Sequence, residues 1–178
     1  LAANRLAAYS GKISSAGFNL GQFVNNTDLG IIALDGHVKG NGFKLKDLDA
    51  DFDGKIHRLD FSGYHYQHIT VKGTFQKNLF KGAFAIDDPN LKISNGNGII
   101  SLAGEQSKFD IDAVLLYSNL GQLNLTPEDY SLSGHFNLQF VGNNIDNFLG
   151  TARVYDAKLY HDSTRLAFDS LILTSMVD

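Results

Sequence analysis

The feature that most restricts what this chain can fold into is a glycine set six times in the middle of an apolar alternation. The copies are Leu34-Asp35-Gly36-His37-Val38, Phe52-Asp53-Gly54-Lys55-Ile56, Val71-Lys72-Gly73-Thr74-Phe75, Phe80-Lys81-Gly82-Ala83-Phe84, Leu132-Ser133-Gly134-His135-Phe136 and Phe148-Leu149-Gly150-Thr151-Ala152. Strand side chains alternate between faces, so each glycine shares a face with its two apolar neighbours, where a core-filling side chain is expected. Glycine inside a strand costs about 0.5–1 kcal/mol relative to alanine. Repeating that cost needs a physical reason. Two are available: strand bends at Gly36, Gly54, Gly73, Gly82, Gly134 and Gly150, or close approach of another backbone or a ligand to the bare face.

The surrounding pattern is that of an all-β chain. Helical periodicity is confined to Phe18 to Asn25 and Asn143 to Leu149, each long enough for a single turn. The rest reads as about ten strands separated by Gly, Asn, Asp and Ser, with Pro89 and Pro127 in the breaks. Antiparallel partners have position numbers with a constant sum. A sum of 155 pairs Phe75 with Phe80, Gly73 with Gly82, Val71 with Phe84 and Ile69 with Ile86 around Lys77-Asn78. A sum of 125 pairs Phe61 with Tyr64, Leu59 with Tyr66, Ile56 with Ile69 and Phe52 with Gly73 around Ser62-Gly63. Apolar parity flips between Ile56 and Leu59 and again between Tyr66 and Ile69, which predicts a paired bend or bulge. The same kind of flip recurs under a sum of 325, with Val154 opposite Leu171, Leu159 opposite Leu166 and Asp162-Ser163 at the turn.

Segments also repeat. Asn19-Leu20-Gly21-Gln22 returns as Asn119-Leu120-Gly121-Gln122 at an offset of 100, and Leu34-Asp35-Gly36-His37 returns as Leu132-Ser133-Gly134-His135 at an offset of 98. Two tandem modules follow, residues 1–113 and a truncated second one over 114–178, joined into one elongated structure.

Composition narrows the function classes. A net charge of -4 without a Lys/Arg-rich run leaves no footprint for nucleic acid. The absence of cysteine rules out disulfides and thiolate zinc sites. No apolar run approaches the length of a membrane-spanning helix, so this segment is not expected to cross a membrane. Asp49-Ala50-Asp51-Phe52-Asp53-Gly54 mimics a calcium loop, but it lacks helical flanks and reads better as a strand with its aspartates in water. The histidines offer only one close pair, His65 and His68, and no third ligand at usable spacing, so no metal is expected. No nucleophile elbow, phosphate loop or dinucleotide fingerprint is present, and no catalytic residue or cofactor is expected.

The remaining candidate site is the apolar face itself, lined by Leu34, Val38, Phe52, Ile56, Ile69, Val71, Phe75, Phe80, Phe84, Ile86, Leu132, Phe136, Leu138, Phe140 and Val154. One arrangement is an ordinary β-sandwich whose second sheet fills the space. The other is a single elongated antiparallel sheet curved over an apolar groove that its own side chains do not fill. Such a groove suits phospholipid acyl chains, because each buried methylene contributes about 0.8 kcal/mol without directional contacts.

The chain resembles the TamB family, inner-membrane subunits of the translocation and assembly module, in its Bacteroidetes form. The resemblance rests on Phe52-Asp53-Gly54-Lys55-Ile56, Gly63-Tyr64-His65-Tyr66, Ile69-Thr70-Val71-Lys72-Gly73-Thr74-Phe75, Ile86-Asp87-Asp88-Pro89-Asn90-Leu91 and, later, Gly142-Asn143-Asn144 through Gly150-Thr151-Ala152 and Asp169-Ser170-Leu171. It implies an AsmA-like groove of the β-taco kind within a periplasmic protein anchored in the inner membrane. It also implies phospholipid movement between the two membranes, and an Omp85-type, TamA-like outer-membrane barrel as partner of other parts of the full-length protein. A second expectation from the same resemblance is a chaperone-like scaffold for barrel-protein assembly or secretion.

Overall fold

The structure, a computed structural model, describes residues 7–44, 47–101, 106–142 and 149–175. Eleven strands and one short helix follow in the order β1 (Ala8–Asn19), α1 (Leu20–Val24), β2 (Leu29–Asn41), β3 (Asp49–Phe61), β4 (Tyr64–Tyr66), β5 (Ile69–Gln76), β6 (Leu79–Asp88), β7 (Leu91–Ser101), β8 (Lys108–Asn119), β9 (Ser131–Val141), β10 (Leu149–His161) and β11 (Thr164–Ser175). They form one open antiparallel sheet in which each long strand pairs with the next, while β4 extends the β5 side of β3. β1 and β11 are its two edges. Ten strands at about 4.8 Å spacing make the sheet roughly 45 Å across. No described helix is long and apolar enough to cross a membrane.

The turns form where the sequence supplies left-handed residues. Ser62 (φ 47) and Gly63 (φ 77) join β3 to β4, while Lys77 (φ 48) and Asn78 (φ 65) join β5 to β6, both with the two positive φ angles of a type I′ turn. The three registers expected from the sequence are the observed ones: Ile56 opposite Ile69, Gly73 opposite Gly82 and Val154 opposite Leu171.

The parity flips mark a line of bulges. On β2, Leu34, Ala33 and Ile32 are consecutive, yet their partners on β3 are Ile56, Arg58 and Leu59, so His57 is an extra residue. Leu59 therefore stays on the face of Ile56. One extra residue also lies in β1 between Ser15 and Phe18, in β7 between Ile93 and Gly96, in β8 between Leu115 and Ser118, and in β10 between Tyr155 and Lys158. The break between β4 and β5 falls at the same level, with His68 at φ 53. All of these adjoin one cross-strand row, Ser15, Leu34, Ile56, Ile69, Ile86, Ile93, Leu115 and Gly134. Bulges bend strands, so this row is the crease of the sheet. Beyond it the fully buried carboxylate of Asp88 accepts hydrogen bonds from the Tyr64 hydroxyl (2.6 Å) and the backbone N–H of Gln67 (3.0 Å) and Asn90 (2.8 Å).

The internal repeat is structural. Asn19 and Asn119 each cap the following turn by accepting from the N–H of Gln22 (2.9 Å) and Gln122 (3.1 Å). The second sequence match, at an offset of 98, is out of structural register. Gly36 lies opposite Ile13 and Phe136 lies opposite Ala113, so an offset of 100 holds throughout and Gly134 occupies the place of Leu34, not Gly36. A module boundary after residue 113 falls inside β8, and the hydrogen-bonded sheet runs through it without a break.

Candidate functional site

The crease and the alternation together place one chemistry on each face of the sheet. One row reads Ile13, Gly36, Gly54, Val71, Phe84, Gly96, Ala113, Phe136, Val154 and Leu171 across ten strands. The next reads Gly11, Val38, Phe52, Gly73, Gly82, Gly98, Ile111, Leu138, Ala152 and Leu173. No polar side chain interrupts either row. A third, from Tyr9 to Gly150, adds Ala50, Phe75, Phe80, Ile100, Phe109 and Phe140, with the Phe109 and Phe140 rings stacked at 4.4 Å.

No second sheet among the described residues packs over these rows. Of the fifteen side chains expected to line the groove, Ile69 and Val154 are buried, while Leu34, Val38, Phe52, Ile56, Val71, Phe75, Phe80, Phe84, Ile86, Leu132, Phe136, Leu138 and Phe140 are half-buried. Their strand neighbours Asp35, His37, Lys39, Asp51, Asp53, Lys55, Lys72 and Lys81 are exposed. The apolar face is therefore the less exposed of the two. The buried apolar core among described residues is Ile32, Ala50, Ile69, Ala113, Leu115, Leu123, Val154 and Ala157, three of them alanine. The chain exposes 11326 Å² for 19.5 kDa, whereas a compact monomer of that mass exposes about 8,500 Å².

The glycines explain why the face is low in relief. A Cβ on Gly36 would lie 2.8 Å from the Gly54 Cα and 2.9 Å from the Phe52 ring; one on Gly82 would lie 2.7 Å from the Gly73 Cα and 2.8 Å from the Phe80 ring. The phenylalanines lie down over paired glycines instead of standing up into the groove. The expected bends are elsewhere. Gly36, Gly54, Gly73, Gly82 and Gly150 sit in unbroken register, and only Gly134 adjoins a bulge, opposite Asp156 (φ 51) and Ala157. The physical reason is that an inserted residue bends the strand at the crease, which leaves the glycines to admit close contact. Phe148 and most of the second candidate helical turn, 143–149, lie outside the described residues.

Sequence reasoning missed Ile13, Gly96, Gly98, Ile100, Phe109, Ile111, Ala113 and Leu173 as members of the same face. The alternation Phe109, Ile111, Ala113 was an available signal. In β7 the bulge between Ile93 and Gly96 resets the parity in a stretch of Ser, Asn and Gly, so no apolar count marks it.

The opposite face is polar and internally paired. Asp49 accepts from Gln76 (3.0 Å), Asp51 from Thr74 (2.8 Å), and Asp53 meets Lys72 (3.0 Å), so the calcium-like aspartates each face a neighbour on β5. His135 meets Asp112 at 2.9 Å, and His57 pairs with Asp35. Among the described residues no three His, Asp or Glu side chains are grouped to hold a metal ion. At the hairpin tip the Arg58 guanidinium grips Asp60 at 2.7 and 2.8 Å, and His65 adds a 2.6 Å contact; together they hold the Asp60 carboxyl below the usual carboxylate range. Burial at the crease pushes the Tyr66 phenol up to about 12.

Comparison of the chain with protein-family models, with curated proteins and with solved structures gives no match.

Proposed function

We propose that this chain is a stretch of a lipid-shielding groove. It is read as a periplasmic segment of a TamB-like protein that covers phospholipid acyl chains on their way between the inner and outer membranes. The observation that carries the reading is the apolar face, ten strands wide, whose rows hold only apolar residues and glycine between the edge strands. Exposed apolar surface of this extent on a soluble chain marks a binding surface. Hydrocarbon fits it, because a continuous greasy strip without polar anchors lets a chain slide as well as bind, at about 0.8 kcal/mol per buried methylene. No residue is assigned a chemical step. The inner-membrane anchor and the TamA-like barrel partner belong, on this reading, to other parts of a longer protein.

The test is mass spectrometry of lipid retained by the purified protein. Leu138→Asp places a charge in the middle of the apolar rows, while Gln139→Asp places the same charge on the opposite face. Retained phospholipid is expected to drop at least about tenfold in the first and to hold in the second, the equivalent of at least ~1.4 kcal/mol. Equal retention by the two variants, with strand content preserved in both, rejects the groove as the lipid site.

A further inference from the structure

We propose that the outer edge of β1 is a strand-acceptor site of defined register, whose partner is the β7-type strand of a further repeat of this module. The inference does not depend on the lipid reading. β1 and β8 match in span, bulge and closure. They occupy 8–19 and 108–119. Each carries its bulge at the same place, between Ser15 and Phe18 and between Leu115 and Ser118. Each is closed by the same backbone bond, Gly42 N–H to the Ala7 carbonyl and Gly142 N–H to the Ser107 carbonyl, both 3.0 Å.

The pairing that follows is equivalent too. Ser15 with Leu34 becomes Leu115 with Gly134, Leu34 with Ile56 becomes Gly134 with the bulge around Asp156, and Phe52 with Gly73 becomes Ala152 with Leu173. The difference that matters is on the other side. The free edge of β8 is taken by β7, and the same edge of β1 pairs with no described strand.

That edge is lightly protected, by one bulge and one lysine. It is twelve residues long, has no proline, and bears a single charged side chain, Lys12. An edge of that length is an invitation to another strand, and the repeat says which one. In the observed β7–β8 register Ile99 faces Asp110 and Asn97 faces Asp112. Carried back by 100 residues, the incoming strand places its Ile99 opposite Ser10 and its Asn97 opposite Lys12. Its two glycines, Gly98 and Gly96, then meet Gly11 and Ile13, extending both apolar rows without a step.

The chain has no cysteine, so register can be read by disulfide exchange. The 178-residue chain carrying Ser10→Cys or Lys12→Cys is incubated with a synthetic peptide of residues 91–101 carrying a cysteine in place of Ile99 or Asn97. All four positions lie on the face opposite the apolar rows. The matched pairs, 10 with 99 and 12 with 97, are expected to crosslink at least about tenfold faster than the crossed pairs, because only directly opposed residues reach disulfide geometry. Equal rates for matched and crossed pairs overturn the register. Equal capture of a peptide of residues 79–88, or of an alternating aromatic strand of barrel type, overturns the selectivity. Absence of crosslinking above an unstructured thiol peptide overturns the site.

Discussion

Gly11 and Gly82 share a face and a row, and their surroundings are opposite. A Cβ on Gly82 would meet the Lys72 carbonyl oxygen at 2.6 Å and the Phe80 ring at 2.8 Å, whereas nothing lies within 4 Å of one on Gly11. Gly82→Ala is therefore expected to lower stability by about 1–3 kcal/mol through overpacking. Gly11→Ala is expected to raise it by about 0.5–1 kcal/mol through the unfolded chain. Urea midpoints at unchanged slope measure both, and equal shifts for the two variants would sink the account of paired glycines under phenylalanine rings. Period-two alternation made the apolar identity of this face readable from the sequence. What stands over each glycine was not, because the Phe52 ring covers Gly36 through strand pairing, which a local pattern does not encode.

At the scale of elements, turns were easier to read than bends. Ser62-Gly63 and Lys77-Asn78 carry their own conformational preference, and the alternation on either side allows only one register. A bulge leaves only a parity flip, visible at Ile56 to Leu59 where both sides are apolar and invisible in β7. What holds the crease is equally hidden: Asp88 reads as a turn residue beside Pro89, yet it is fully buried and ties β4 to the turn after β6. Asp88→Ala would leave the Gln67 and Asn90 N–H groups and the Tyr64 hydroxyl short of an acceptor, at a cost of about 2–4 kcal/mol. Its neighbour Asp87 is exposed and pairs only with Lys92 at 2.5 Å, so Asp87→Ala should change stability by less than about 1 kcal/mol. Thermal unfolding of the two variants separates them, and a small effect at Asp88 would mean that the bulges alone set the bend.

At the scale of the molecule, the repeat was glimpsed through the Asn-Leu-Gly-Gln match, but its extent lay in backbone pairing. Gly11 against Ile111 and Ser15 against Leu115 share a place and little chemistry, since a single-layer sheet asks of each inward position only that it be apolar or small. The same single layer has a thermodynamic consequence. Heat capacity of unfolding tracks the apolar surface newly exposed, and a compact domain of 178 residues would give about 2.1–2.7 kcal/mol/K. Here much of that surface already faces water in the folded state, so the lipid-free protein should fall clearly below about 2 kcal/mol/K by calorimetry. Ligand that covers the face must then raise the melting temperature with the logarithm of its free concentration above Kd, because it binds the folded state alone. A full-sized heat capacity in lipid-free protein would mean that the apolar face closes on itself in solution, and a closed face has no room for a hydrocarbon chain.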